Sequence, residues 1–333
     1  MPVRIGVIGV GMMGAEHARL LSQVVSGSEV TSVSDLDPRR AETVAAASGA
    51  RVLDDPMVLI KDDEVDAVLL ASSDRSHEQF VLACLAAGKP VLCEKPLTPD
   101  VAGAERILEA EAGLGHRLVS VGFMRRYDPG YLAMKSAVRD GGLGQALLMH
   151  CVHRNATGVG IATHALISGS AVHEIDTARW LLEEELTSVT VHCPRPSVNA
   201  GATQDPMLLV LSSASGALVD VEVFLNAGYG YEVRCELVGE NGTMLLDSPP
   251  PTVRRASGAV TRGVAADWRG RFAEAYRCEL QDWVHGVAAG DPGRGASVWD
   301  GYAATVVAQA GVRALDSGRT QDVALREQPA LYR

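Results

Sequence analysis

Apolar runs and polar breaks alternate along the first third of the chain in the manner of strands followed by helices. Residues 3–10, VRIGVIGV, are almost continuously apolar, as expected of a parallel strand buried on both faces. The run passes through GVGMMG into AEHARLLSQVV, which reads as a helix. EVTSVSDLD (29–37) reads as a second strand. VDAVLLASSDRSHEQF (65–80) reads as a buried strand ending in a polar loop with a histidine, and KPVLCEKPL (89–97) as a strand ending in Glu94-Lys95-Pro96.

Further along, the period of two dominates. QALLMHCVHRN, LTSVTVHCP, MLLVLSSASGALVDVEVFLNAG and YEVRCELVGENGTMLLD read as strands or hairpins, with SGA and ENG as turns. Two helical segments, WRGRFAEAYRCELQDWVHGV and SVWDGYAATVVAQAGVRALDSG, finish the chain, and Gly318 is the expected stop. The stretches TARWLLEEEL and VVAQAGVRAL are expected to be helix faces packed in the core. PRPSVNAGATQDP (194–206) and SPPPTVRRASGAVTRGVAAD (248–267) read as flexible loops, the second either a lid or a passive connection. No internal repeat interrupts this order.

Composition narrows the class. The 333 residues suffice for two domains, and 47% hydrophobic with 21% charged residues fits a soluble globular protein. A net charge of −11 argues against nucleic acid or an anionic membrane as the main partner. Cysteines 84, 93, 151, 193, 235 and 278 form no C-x-x-C pair, so neither a metal site nor a disulfide framework is expected, only reduced and mostly buried thiols. No signal peptide precedes the first strand pattern, and no apolar run reaches the length of a membrane span. A cytoplasmic location is the expectation.

Gly9, Gly11 and Gly14 satisfy G-x-G-x-x-G between a strand and a helix, and Asp35 follows Gly14 by twenty-one residues. Glycines there tighten the turn and let the backbone approach a pyrophosphate at the helix N-terminus, while the acid meets the adenosine ribose hydroxyls. Dinucleotide binding is expected. Asp35 repels a 2′-phosphate, which favours NAD over NADP; Arg39 and Arg40 either offset that repulsion or simply begin a solvated helix after Pro38. Lys95, at the carboxyl end of a parallel strand, is placed where such sheets bind ligands. In ISGSAVHEID (167–176), a helix beginning at the start of the stretch puts Gly169, His173 and Asp176 on one face. A histidine in such a setting suits general acid/base work.

The motifs GVIGVGMMG, SDRSH, CEKPL, GFMRRYDPGY, HRN, HEIDTARWLL, YGYE and WDGY together resemble the glucose–fructose oxidoreductase / inositol dehydrogenase family, and within it the inositol dehydrogenase branch. The resemblance runs over nearly the whole chain. It implies an α/β protein with an N-terminal Rossmann domain (1–122) and a C-terminal α/β domain (123–333) bearing a large open, mostly antiparallel sheet. Homodimers or homotetramers joined through those sheets are implied as well. The implied activity is NAD-dependent oxidation of a cyclitol secondary alcohol. Lys95 would hydrogen-bond the reacting oxygen and His173 would be the acid/base. Arg125, His153, Asn155, Ser170, Asp176 and Tyr231 would hold the polyol. Met12, Met13, Arg40, Ser72, Ser73, His77, Glu94, Lys95 and Met124 would join the glycines and Asp35 around NAD.

Each substrate residue also has a plainer reading. His153 can be a satisfied strand histidine, Asp176 can pair with Arg179 or Arg125, and Tyr231 and Asn155 can satisfy local backbone groups. One position departs from the family pattern, which carries an aspartate where this chain has Gly169. Three readings of the glycine stay open: a different cyclitol or amino sugar as substrate, a nearby group such as Asp176 or His164 acting in its place, or a disabling change. The rival activities are redox or epimerisation chemistry on a sugar or aminocyclitol, and a non-catalytic NAD-binding sugar sensor.

Overall fold

The computed structural model describes residues 1–158, 160–246, 252–292 and 295–333. They form two compact units. One comprises Met1–Met124, Ala275–Thr305 and Arg326–Arg333; the other comprises Arg125–Glu274 and Val306–Leu325.

The first unit is built on a parallel sheet of β1 (Val3–Ile8), β2 (Ser28–Ser34), β3 (Arg51–Val52), β4 (Ala67–Leu70), β5 (Val91–Glu94) and β6 (Val119–Gly122), in the order 3-2-1-4-5-6. Helices α1 (Met12–Gln23), α2 (Pro38–Ser48), α3 (Pro56–Lys61), α4 (His77–Ala86) and α5 (Val101–Leu114) connect the strands. Ile5, Val7, Val68, Leu69, Val91 and Val119 are fully buried, which explains the near-continuous apolar runs. The order reverses between β1 and β4, so the carboxyl ends of these strands frame the crevice where open α/β sheets take ligands. Tyr332 also belongs to this unit: its hydroxyl donates to Glu111 Oε2 at 2.6 Å, while Glu111 Oε1 accepts the N–H groups of Leu118 and Val119.

The second unit contains α6 (Pro129–Arg139), β7 (Ala146–Arg154), α7 (Val172–Leu182), β8 (Leu186–His192), β9 (Met207–Ser213), β10 (Leu218–Phe224), β11 (Glu232–Gly239), β12 (Gly242–Leu246), the small strands β13 (Val253–Ala256) and β14 (Ala259–Arg262), and a closing β15 (Gln321–Asp322). Seven strands form one sheet, ordered 12-11-7-10-9-8-15; only β7 and β10 are parallel neighbours. The sheet is therefore mixed and mostly antiparallel, as the strand patterns predict. Its alternation is regular: Met149, Cys151 and His153 on β7, Val219, Val221 and Val223 on β10, and Val233, Cys235 and Leu237 on β11 are all buried. Leu148, Val152, Val210 and Phe224 point to the other face and are only half-buried. The two long helices, α8 (Trp268–Ala289) and α9 (Val298–Ser317), have the extents the sequence predicts, and Gly318 ends α9 at φ 64°.

Two loop expectations need correction. Residues 253–262 form the hairpin β13–β14, because Ser257-Gly258 adopts positive φ at both positions, the turn that matches strand twist. The preceding residues 248–251 of that stretch lie outside the described residues. Segment 194–206 is pinned: Asp205 is wholly buried and accepts from Leu225 N, Asn226 N and Asn226 Nδ2 at 2.8–3.0 Å. His77, expected in a loop, starts α4. The Lys95–Pro96 bond, undecided from sequence, is cis. Four of the six cysteines are buried and all are free thiols. Among the described residues no helix is long and apolar enough to cross a membrane, and no cluster of potential ligands could hold a metal ion.

Candidate active site

The three motif glycines do different work. Gly9 has φ 82°, and a Cβ there would lie 2.4 Å from Ser72 N and Cα. A Cβ on Gly14 would lie 1.8 Å from Gly9 O, so this glycine allows the helix to pack on the turn. At Gly11 a Cβ would meet nothing within 4 Å. Gly11 is also the N-cap of α1 with no side-chain hydrogen bond, and no acid occupies the first turn. Open space in front of uncapped, positively polarised N–H groups is a cradle for an anion such as a pyrophosphate. Gly11→Ala should therefore melt like wild type yet bind NAD more weakly, whereas Gly14→Ala should lower the melting temperature. Thermal melts with a nucleotide titration check both; equal melting for the two variants would sink the distinction.

The other cofactor candidates ring the same strand ends. Asp35, just past β2, accepts from Val10 N at 2.7 Å and Asp37 N at 2.8 Å, which ties the acid to the glycine turn. Met12 is exposed, Met13 half-buried and Ser73 exposed. Ser72 Oγ lies 2.7 Å from Ser76 Oγ. Arg40 is exposed and pairs with Asp37 at 3.4 Å. His77 is buried, with Nδ1 2.9 Å from Pro96 O and Nε2 3.2 Å from Ser72 O, and so joins two of the loops. Met124 is buried and Lys95 is half-buried.

Glu94 is held by a residue the sequence reading missed. His17 Nε2 lies 2.7 Å from Glu94 Oε1, and Lys95 N donates to Glu94 Oε2 at 3.1 Å. Burial opposes ionisation of Glu94, but His17 and Lys95 outweigh it and hold the carboxyl below its usual range. His17 sits seventy-seven residues from its partner, and the only hint was its place on the buried face of α1.

In the second unit, the helix of HEIDTARWLL does not begin where the sequence predicts. Leu166–Ala171 is a π-helical turn, and α7 starts only at Val172. Gly169 and Ser170 therefore lie in the π turn, half-buried, while His173 and Asp176 lie in α7. Such turns interrupt regular helices and are common at functional sites. Nearly every residue of α7 is buried, including four charged or titratable ones, and buried charge must be paired. Glu174 pairs with Arg125 and lies 3.2 Å from His153 Nδ1. Asp176 accepts from Arg126 at 2.6 and 3.0 Å, and Arg179 pairs with Glu185 at 2.6 Å. Thus Asp176 is paired, and Arg126, which the sequence reading did not weigh, is one of its partners.

Among the predicted substrate residues, His153, His173 and Tyr231 come together. The His153 ring centroid is 6.4 Å from that of His173 and 6.3 Å from that of Tyr231. Asn155 follows His153 by two residues on the extended chain, and its Oδ1 is buried with no hydrogen-bond partner among the described residues. Arg125 is fully buried between Tyr131 and Phe272, and it acts on this cluster through Glu174, His153 and Tyr231. Burial pushes the Tyr231 hydroxyl up to about 12, keeping it a neutral donor. Glu174 was missed, although an acid amid the apolar residues of AVHEIDTARWLL was a visible signal. Neither substitute considered for the absent carboxylate is spare: His164 bonds Asp316 at 2.8 Å on the surface, and Asp176 holds Arg126.

Burial alone would raise the Glu174 carboxyl, but Arg125 and His153 bring it down to about 2, against 4.5 for an ordinary glutamate. A depressed folded-state value means that Glu174 contributes stability fully above the unfolded value near 4.5. That contribution is lost as pH falls from there toward 2. Denaturant midpoints measured from pH 6 to pH 3 should decline over this window. Arg125→Met/Glu174→Met should show a shallower decline, and parallel curves would contradict the assignment.

A glycine turn on a 3-2-1-4-5-6 sheet, joined in one chain to a sheet unit carrying a buried histidine cluster, defines a dinucleotide-dependent oxidoreductase. Residues 3–123 match the model of the oxidoreductase family with an NAD-binding Rossmann fold, and residues 131–245 match the GFO/IDH/MocA C-terminal domain. Inositol 2-dehydrogenase 1 of Saccharopolyspora erythraea is 52% identical, with 100% of this chain and 99% of the relative covered. Inositol 2-dehydrogenase of Acidothermus cellulolyticus is 48% identical over 99% of this chain and 98% of the relative. The crystal structure of myo-inositol dehydrogenase from Lactobacillus casei in complex with NAD(H) and myo-inositol superposes with a TM-score of 0.96, at 34% identity and with both chains fully covered. The chain belongs to the GFO/IDH/MocA oxidoreductase family, and its first domain binds NAD.

Proposed function

We propose that this protein oxidises a secondary alcohol of a cyclitol, inositol or a near relative, with NAD as the hydride acceptor. The observation that carries the reading is the cluster of His153, His173 and Tyr231 with the unpartnered Asn155 Oδ1, all in one unit of a chain whose other unit holds the glycine turn. A ring of hydroxyls needs a polar partner for each one that is buried. The full-length likeness to inositol dehydrogenases supports the same substrate class.

In this reading NAD supplies the hydride acceptor when bound. The uncapped α1 terminus and Gly11 would hold its pyrophosphate, and Asp35 would meet the adenosine ribose. Lys95 places a cation on the reacting oxygen, and His173 removes the hydroxyl proton. A second reading, a cyclitol or aminocyclitol with a bulkier substituent, is favoured by the space at Gly169, where a Cβ would meet no described atom within 4 Å. Absorbance at 340 nm with NAD and a panel of inositol isomers, aminocyclitols and free sugars tests both. Turnover confined to free sugars would contradict the cyclitol assignment.

The outer face of the large sheet, where half-buried Leu148, Val152, Val210 and Phe224 sit among the ion pairs of Arg154 with Glu222 and Glu232, supports self-association through that face. Light scattering should give a mass that is a multiple of 35.1 kDa, and a mass of one chain would contradict it.

A further inference from the structure

His153 is almost fully buried, yet its two ring nitrogens face unlike surroundings. Nδ1 lies 3.2 Å from Glu174 and 3.4 Å from Arg125 Nη2. A guanidinium only donates and a carboxylate only accepts, so the two demand opposite states of Nδ1. The carboxylate is nearer and its bond is charge-assisted, while 3.4 Å is at the margin for the arginine. Arg125 is in turn committed to Glu174 through Nη1. Among the described residues no group hydrogen-bonds to Nε2.

We infer that Glu174 is a positioning residue that fixes His153 as the Nδ1–H tautomer, so that His153 Nε2 meets the substrate as a hydrogen-bond acceptor. The group facing it must then be a donor. A hydroxyl or a protonated amine meets that requirement; a carbonyl or fluorine does not. The inference rests on the reading of this unit as the polyol-binding one, and it adds a rule of selection: the subsite admits a ring carrying OH or NH3⁺ at that corner. The tautomer is set by the charge on Glu174, because the partner of one imidazole nitrogen determines which nitrogen carries the proton.

Nitrogen-15 NMR of the NAD-loaded protein labelled at histidine tests this, with the His153 signals assigned by their absence in His153→Gln. At pH 8 the expected spectrum shows the directly bonded proton on Nδ1 and an unprotonated Nε2. On addition of myo-inositol Nε2 should shift as an acceptor without gaining a proton. In Arg125→Met/Glu174→Met, which removes both competing charges, the ring should move toward the Nε2–H form. Kinetically, a cyclitol with fluorine in place of the hydroxyl at that corner should lose about 10- to 100-fold in kcat/KM, and the amino analogue should keep most of it. A proton on Nε2 in the wild-type protein overturns the inference. So does an Nδ1–H tautomer that persists unchanged in the double variant. Absence of any cyclitol response alongside an Nδ1–H tautomer would overturn the substrate reading while leaving the role of Glu174 standing.

Discussion

Arg125→Met should destabilise the protein by about 3–5 kcal/mol, the usual cost of leaving one partner of a buried ion pair alone. Glu174 would keep its charge in a place that excludes water, with His153 beside it but no guanidinium to balance it. The methionine retains much of the apolar stem between Tyr131 and Phe272, so lost packing is the smaller part of the effect. Adding Glu174→Met should restore most of the stability, since a buried pair replaced by apolar side chains of similar volume is often close to neutral. Urea midpoints of wild type, single and double variants check this. A single variant as stable as wild type would show that the pair does not govern this region.

His173→Gln should lower kcat by about 10²- to 10⁴-fold, the range for loss of a positioned acid/base, with NAD affinity little changed. Glutamine keeps polarity and approximate size but has no nitrogen that cycles a proton near neutral pH. Because the glycine turn and Asp35 belong to the other unit, a nucleotide titration should read the same in both proteins. Turnover within threefold of wild type would remove His173 from the chemistry.

Much of the fold could be read from local pattern. The buried run at residues 3–8, the glycine turn, and the two-residue alternation of β7, β10 and β11 each depend on near neighbours, and these elements stand where the sequence predicts. Long-range electrostatics were not legible in that way. His17–Glu94, Arg126–Asp176 and Arg125–Glu174 join residues dozens of positions apart, and no spacing rule links them. The π turn was hidden for a different reason: a single extra residue in a helical turn leaves the composition of ISGSAVHEID unchanged while it alters which side chains share a face. Hairpin 253–262 was read as a loop because its strands are short, polar and exposed, so the apolar signal of a strand is missing.

Gly169 is where sequence and structure meet most usefully. The resemblance marks it as a departure from an aspartate, and the structure finds neither positive φ nor crowding that would require glycine there. The carboxylate is missing from a place with room for it. If a relay depended on that group, its loss would cost roughly 2–4 kcal/mol, or about 30- to 1,000-fold in rate. In the proposed function His173 and Lys95 suffice without it.

The most direct measurement is NADH formation at 340 nm by wild type and Gly169→Asp, side by side, with NAD and the cyclitol panel. The proposed function predicts turnover of at least one cyclitol by wild type, and a Gly169→Asp variant that melts as wild type does. A folded, NAD-binding wild type silent across the panel, with only Gly169→Asp oxidising inositol, would contradict it.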